Sequence, residues 1–325
     1  MTARETTALP PLPDGYSVRR PSRGDLPEIA AVVAAAELDL IGEVVTTADD
    51  LVRDWNFANF ALDRDAWLMA TPSGDPVAYA WCHSPGPNAD PDAFLVVHPQ
   101  HATAEISGHL LALILRRAGD IAVGELDRTD PTLGMWCARQ DAARRELYQA
   151  AGFKPTRVFY GMTIDAAEIP DLLPWPAGIA IRTLRRPDDE RPVHAAVQEA
   201  FAQHFREFPE KYDDWRRRVF AHPSLDLDLW FVAWDADEVA GDLLAMPGPG
   251  RGEVDQLAVR AAWRRRGLGA ALLVHAFHAL RDRGFERVVL GVDAENTTGA
   301  LGLYERVGMR VQYSFDFFEK PLASR

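Results

Sequence analysis

Apolar residues alternate or gather in short runs over six stretches of the second half of the chain: Ile179 to Thr183, Leu229 to Trp234, Glu238 to Ala245, Glu253 to Val259, Arg287 to Val292 and Gln312 to Phe318. That pattern predicts strands. Between them the apolar spacing turns helical. Asp189 to Phe201 and Glu210 to Phe220 predict two early helices, Gly267 to Arg283 a long amphipathic one, and Thr298 to Val307 a short one closed by Gly308. A strand, two helices, three strands, then helix, strand, helix, strand predicts a mixed α/β fold: a mostly antiparallel sheet flanked by helices.

The first half carries the same pattern. Gly15 to Arg19 and Gly178 to Arg182 each open a strand that leads into a helix, 163 residues apart, and Trp67 to Ala70 and Trp230 to Ala233 keep that offset. Val97 and Val259 stand 162 apart, and Tyr148 and Tyr304 stand 156 apart. Matches that stay in order with a slowly shrinking offset are what loop deletions in a duplicated domain produce. The expected organisation is therefore two tandem domains, residues 1–165 and 178–325, joined by a proline-bearing linker at 166–177. A length of 325 residues fits two domains of ordinary size.

Charge and composition narrow the classes of function. A net charge of −13 disfavours a nucleic-acid partner. No stretch has the roughly 18 apolar residues of a membrane span, and the N-terminus has no signal-peptide core, so a cytoplasmic location is expected. Cys82 and Cys137, the only cysteines, form neither a disulfide framework nor a zinc site. With no His-Glu-x-x-His and no Gly-x-Ser-x-Gly, neither a metal nor a serine nucleophile is expected, and His275 and His278 read as helix-surface or packing residues.

The chemistry concentrates after the strand Glu253 to Val259. There Arg264-Arg265-Arg266-Gly267-Leu268-Gly269-Ala270 opens the long helix. Glycines let the backbone approach a ligand closely, first-turn N–H groups lack partners, and the helix dipole favours negative charge. Strand, loop and helix together predict a diphosphate site. It is not a Walker loop, which needs Gly-Lys followed by Ser or Thr, and a dinucleotide fingerprint would need glycine where Leu272 stands.

Arg264-x-x-Gly267-x-Gly269 after Leu257-x-Val259 resembles the coenzyme A loop of the GNAT superfamily of N-acyltransferases. The resemblance is strong from Ile179 to Lys320 and weak in the first copy. It implies that Leu257, Ala258 and Val259 pair with the pantetheine arm, and that Arg264, Arg265, Arg266, Gly267, Leu268, Gly269 and Ala270 hold the pyrophosphate. The later Asn-Ala-Tyr pattern of that family falls on Asn296, Ala300 and Tyr304, with Asn296 one residue further from the tyrosine than is usual. Asn296 is the expected coenzyme contact. Tyr304 matches the general acid, since a phenol near pKa 10 can protonate a leaving thiolate near 8.5. Glu253 matches a strand glutamate that serves some members as base, directly or through water, and Asp255 is an alternative. Phe201, Phe205, Phe208, Tyr212 and Trp215, with Asp213 and Asp214, lie on the two early helices that wall the acceptor site in this superfamily; most of them are expected to be core, with selection of an aromatic or cationic acceptor by some of them as the alternative.

Setting Val97 against Val259 places Pro91 opposite Glu253, Ala93 opposite Asp255, Ala102 opposite Arg264, Glu105 opposite Gly267 and Ser107 opposite Gly269. The first copy is therefore expected to be structural, a tandem layout like that of the mycothiol synthases. The resemblance implies an acyl-CoA-dependent N-acyltransferase that moves acetyl from acetyl-CoA to the primary amine of a small molecule, and a monomer is expected because the duplication can supply within one chain the interface that single-copy relatives make by dimerising. Transfer of a different acyl group, or a non-catalytic acyl-CoA sensor or scaffold, stays open at this level.

Overall fold

Trp230 and Phe231 are neighbours in one strand, yet they serve two different cores. A strand buried on both faces presents successive side chains to opposite sides, and this is how the sheet comes to be sandwiched. The computed structural model describes residues 9–206, 209–296 and 299–323. Phe208, expected on the acceptor wall, lies outside the described residues. The chain divides into two compact units. The first comprises residues 1–51, 57–156 and 316–325, and the second residues 52–56 and 157–315.

The first unit contains β1 (Ser17–Arg19), α1 (Leu26–Ile41), most of α2 (Ala48–Asp54), α3 (Leu62–Asp65), β2 (Ala66–Ala70), β3 (Pro76–His83), β4 (Asp92–Val97), α4 (Ala104–Gly124), β5 (Thr132–Ala138) and α5 (Ala142–Ala150). Strands β1 to β4 pair antiparallel in sequence order, and β4 pairs parallel with β5. The core under α4 joins Ile106, Leu110 and Ile114 to Leu95, Met135 and Tyr148, and it takes Phe318 from the end of the chain.

The second unit contains β6 (Lys154–Asp165), β7 (Ile179–Thr183), α6 (Glu190–Phe201), α7 (Tyr212–Phe220), β8 (Trp230–Asp235), β9 (Glu238–Gly248), β10 (Arg251–Val259), α8 (Leu268–Asp282), β11 (Arg287–Asp293), α9 (Ala300–Arg306) and the first half of β12 (Arg310–Pro321). Its sheet runs β6-β11-β10-β9-β8-β7, antiparallel throughout except for β10 and β11. One core lies under α8, with Leu243, Leu290 and Phe277. The other lies under α6 and α7, with Val193, Trp215, Trp230 and Val232.

The division corrects the expected boundaries at 165 and 178. Residues 157–165 of β6 pair with β11 from Asp165↔Arg287 to Phe159↔Asp293 and belong to the second unit, while residues 316–325 belong to the first. The first repeat thus gives most of its last strand, β6, to the second unit, and the second repeat gives the latter half of its own, β12, to the first. Residues 166–177 are not a loose linker either. Ile169 and Trp175 pack on the α8 core, Trp175 lies edge-on to His275 with ring centroids 5.4 Å apart, and the Pro170 carbonyl is 2.8 Å from His278 Nε2. The two histidines thus clamp this segment, in line with the packing role expected of them.

Register also corrects two matches between the repeats. Trp67 pairs with Ala80 and faces the α4 core, and the same place in the second unit belongs to Phe231, paired with Leu243. Trp230 faces the opposite side. Secondly, β10 has a bulge between Val254 and Gln256 that β4 lacks. The extra residue is Asp255, so Asp92, paired with His83, stands where Glu253 stands, paired with Met246. The first unit has kept a carboxylate there.

Candidate active site

β10 and β11 start as a parallel pair and then separate. The register runs through Gly252↔Val288 and Glu253↔Val289 and stops, while β10 stays paired with β9 up to Val259↔Gly241. Beyond Glu253 the β11-facing edge of β10 therefore has backbone groups without a ladder. The bulge at Asp255 turns the strand at this point. Between the splayed strands lies a cleft of about 630 Å³, lined by residues of β6, β10, β11, the end of α6, the start of α8 and α9.

Helix α8 closes one end. Gly267 is its N-cap, in the left-handed conformation at φ 85°, and no side chain caps the helix. The first intrahelical bond at this end runs from Ala271 N–H to the Gly267 carbonyl, so the amides of Leu268, Gly269 and Ala270 are left for a ligand. A Cβ placed on Gly267 would meet nothing within 4 Å, so the space in front of the loop is open. Gly269 is held closer, its Cβ position 3.1 Å from Leu303 and 3.7 Å from Val259, which fits α8 tightly between β10 and α9. Open amides, a positive helix end and a bare glycine suit a diphosphate.

The expected coenzyme residues mostly converge here. Leu257, Val259, Arg264, Arg265, Gly267, Leu268, Gly269, Ala270 and Asn296 line the cleft, and Tyr304 of α9 lines it with them. Ala258 and Arg266 do not. Ala258 is fully buried on the α6 side, as strand alternation between Leu257 and Val259 requires, and Arg266 lies outside the lining. Arg264 is a brace as well as a cation. Its Nε donates to the Val259 carbonyl at 2.9 Å and its Nη2 to the Ala200 carbonyl at 3.0 Å, which ties the end of β10 to the end of α6.

Burial pushes the Tyr304 phenol up to about 12, so it stays protonated through neutral pH. Glu253 is outside the cleft lining, half-exposed, at the last rung where β10 and β11 still pair, with Arg251 Nη2 3.9 Å away. Asp255 does line the cleft, and Arg53 Nη1 donates to its carboxylate at 2.7 Å. Because of the bulge the two carboxylates do not share a face as plain alternation would have it.

Of the expected acceptor wall, Phe201 and Phe205 line the cleft, whereas Trp215 is core and Tyr212 donates to Glu190 at 2.7 Å. Phe159, His204 and Gln256 also line it, and the sequence reading missed all three. Phe159 was out of reach because it arrives on the exchanged strand β6. His204 is lowered below the usual imidazole range by burial and by Arg264, and therefore adds no charge there near neutral pH. Among the described residues no group of three or more histidines, cysteines and acids has metal-site spacing, and no helix is long and apolar enough to cross a membrane.

A strand pair splayed over an uncapped, glycine-started helix, with a protonated tyrosine in the same cleft, is an arrangement suited to an acyl-CoA-dependent acyltransferase. Residues 193–309 match the acetyltransferase (GNAT) family. A mycothiol acetyltransferase from Geodermatophilus obscurus is 30% identical over 250 residues, covering 74% of this chain and 77% of that protein. Another from Catenulispora acidiphila is 28% identical over 304 residues, covering 90% and 94%. Among solved structures, a GCN5-related N-acetyltransferase from Sphaerobacter thermophilus superposes with a TM-score of 0.76 at 28% identity, covering 96% of this chain and 97% of that one. A tandem GNAT protein from the clavulanic acid biosynthesis pathway shares the fold, with a TM-score of 0.73 at 14% identity, covering 94% and 98%. The chain belongs to the GNAT family of acetyltransferases. It is an N-acetyltransferase that uses acetyl-CoA as acyl donor.

Proposed function

We propose that the second unit alone is the catalytic one and that it acetylates the primary amine of a small molecule by direct attack. One observation carries the reading: the open N-terminus of α8, the unladdered edge of β10 and the Tyr304 phenol meet in a single cleft. Acetyl-CoA supplies the activated carbonyl and a thiolate leaving group. The amides of Leu268, Gly269 and Ala270 would hold its pyrophosphate, with Arg265 offsetting charge, and the backbone of Leu257 and Val259 would hold its arm. Asn296 is placed to contact it from the far wall. The phenol O–H of Tyr304 hands its proton to the departing sulfur. Glu253 takes a proton from the incoming ammonium through water, since its side chain is not in the lining, whereas Asp255 is engaged by Arg53 and is the poorer base.

The first unit is structural in this reading. Its equivalent helix α4 is capped by Thr103, whose Oγ1 accepts from Ile106 N–H at 3.3 Å, and Glu105 stands in its first turn. Side chains occupy the place where a diphosphate needs bare amides. A sensor that binds the coenzyme without turnover would have no use for a buried phenol in the same cleft. The test is thiol release from acetyl-CoA over a panel of primary amines, beginning with the acceptor of the mycothiol acetyltransferases. Release with at least one amine is expected, and thiol release no faster than hydrolysis across the whole panel would overturn the proposal.

A further inference from the structure

Gln256, the residue after the bulge, lines the cleft and is anchored from behind. Its Nε2 donates to Asp242 Oδ2 at 2.6 Å, and Trp230 Nε1 donates to the same oxygen at 3.0 Å. Asp242 is fully buried in the middle of β9, between Val232 and Ala258. One N–H of the Gln256 amide is committed to the carboxylate, which fixes the plane of the amide and leaves its other N–H and its carbonyl oxygen without a partner among the described residues.

The fold does not need this polar pair. In the first unit, Tyr79 pairs with Val96 as Asp242 pairs with Ala258, and Phe94 pairs with Trp81 as Gln256 pairs with Leu244. Tyr79 and Phe94 have their ring centroids 6.4 Å apart. The same two positions are thus filled by aromatic rings in one repeat and by a buried carboxylate and an amide in the other. Burying a carboxylate costs free energy that aromatic packing does not. That cost is met in the second repeat, where Asp242 Oδ1 is itself buried without a partner and the end of the pair that reaches the cleft keeps its amide oxygen for a ligand.

We propose that Gln256 positions the acceptor: Asp242 fixes the amide so that its carbonyl oxygen accepts a hydrogen bond from the acceptor's amine. The assignment rests on the acetyltransferase reading of this cleft. It deepens that reading, because it makes recognition of the acceptor a property of the α6 side of β10, while the neighbouring Leu257 and Val259 pack on the α8 side with the coenzyme loop.

The test is Gln256→Met, which keeps the volume and removes the amide. With the best amine of the panel, KM for the amine should rise about tenfold, the ordinary effect of losing one hydrogen bond, while KM for acetyl-CoA stays within about twofold. Calorimetry of the amine into protein saturated with coenzyme A should show the same weakening, without turnover. The melting temperature should fall by a few degrees, since Asp242 loses one of its two donors and keeps Trp230. An unchanged amine KM and affinity would overturn the assignment, and so would a parallel rise in the KM for acetyl-CoA, the mark of a merely structural role. A wild-type protein that binds acetyl-CoA yet acetylates no amine would overturn the functional reading, and this assignment with it.

Discussion

Trp230 Nε1 donates to Asp242 Oδ2 at 3.0 Å, and both side chains are fully buried between the sheet and α6. Burial outweighs the two hydrogen bonds this carboxyl accepts and raises it from 3.8 to about 7. Below pH 4 the group is protonated in the folded and the unfolded chain and contributes no pH dependence. Between pH 4 and 7 the unfolded chain loses this proton and the folded one keeps it, so stability falls as pH rises, then levels off above 7. Asp242→Asn keeps an acceptor oxygen for both N–H groups and has no proton to lose. Its stability relative to the wild type should grow from pH 4 to 7, by on the order of 4 kcal/mol for a shift from 3.8 to about 7. Urea unfolding of both proteins at pH 4, 5.5, 7 and 8.5 measures it. A constant difference across that range would mean that Asp242 does not titrate there.

Gly267→Val should abolish binding of acetyl-CoA at a small cost in stability. The cost comes from the backbone: at φ 85° a β-branched residue is strained by about 1–2 kcal/mol, although a Cβ there has free space. The loss of binding comes from the methyl groups, which fill the space in front of the helix amides. Gly267→Asn tolerates the left-handed backbone better and should be more stable than Gly267→Val while still binding weakly. Calorimetry and thermal melts check both variants, and unchanged coenzyme binding in Gly267→Val would mean that the diphosphate lies elsewhere.

Tyr304→Phe removes one hydroxyl and should leave coenzyme affinity within a few fold, while turnover falls by about 10- to 1,000-fold. Because burial holds the phenol up to about 12, no alkaline limb from this group should appear below pH 10 in the wild-type rate profile. Glu253→Gln should lower the rate most at low pH, where fewer acceptor amines are already neutral. Full activity in both variants would return these residues to packing roles.

The elements of the second repeat were legible to within three residues at their ends, because period-2 and period-3.6 apolar patterns follow directly from which faces are buried. The glycine loop and Tyr304 were legible for a similar reason: their chemistry is local in sequence. The exchange of last strands was not. Lys154–Asp165 and Arg310–Pro321 are strands of the same length, and nothing in either one says which sheet it joins. That exchange hid Phe159. The bulge at Asp255 hid the match between Asp92 and Glu253, since one extra residue moves every later position by one. One signal was present and passed over: Asp242 is a lone acid in the middle of the eight-residue buried run of β9, where burial is costly without a purpose.

Whether one repeat or both hold the coenzyme is decided most directly by calorimetric titration of the wild-type protein with acetyl-CoA. The second unit offers three uncapped amides behind a bare glycine, while α4 in the first is capped by Thr103 and carries Glu105 in its opening turn, a like charge for any phosphate. One acetyl-CoA per chain is predicted. Two equivalent sites per chain would contradict the assignment of the coenzyme to the second unit alone and would make the first a catalytic candidate as well.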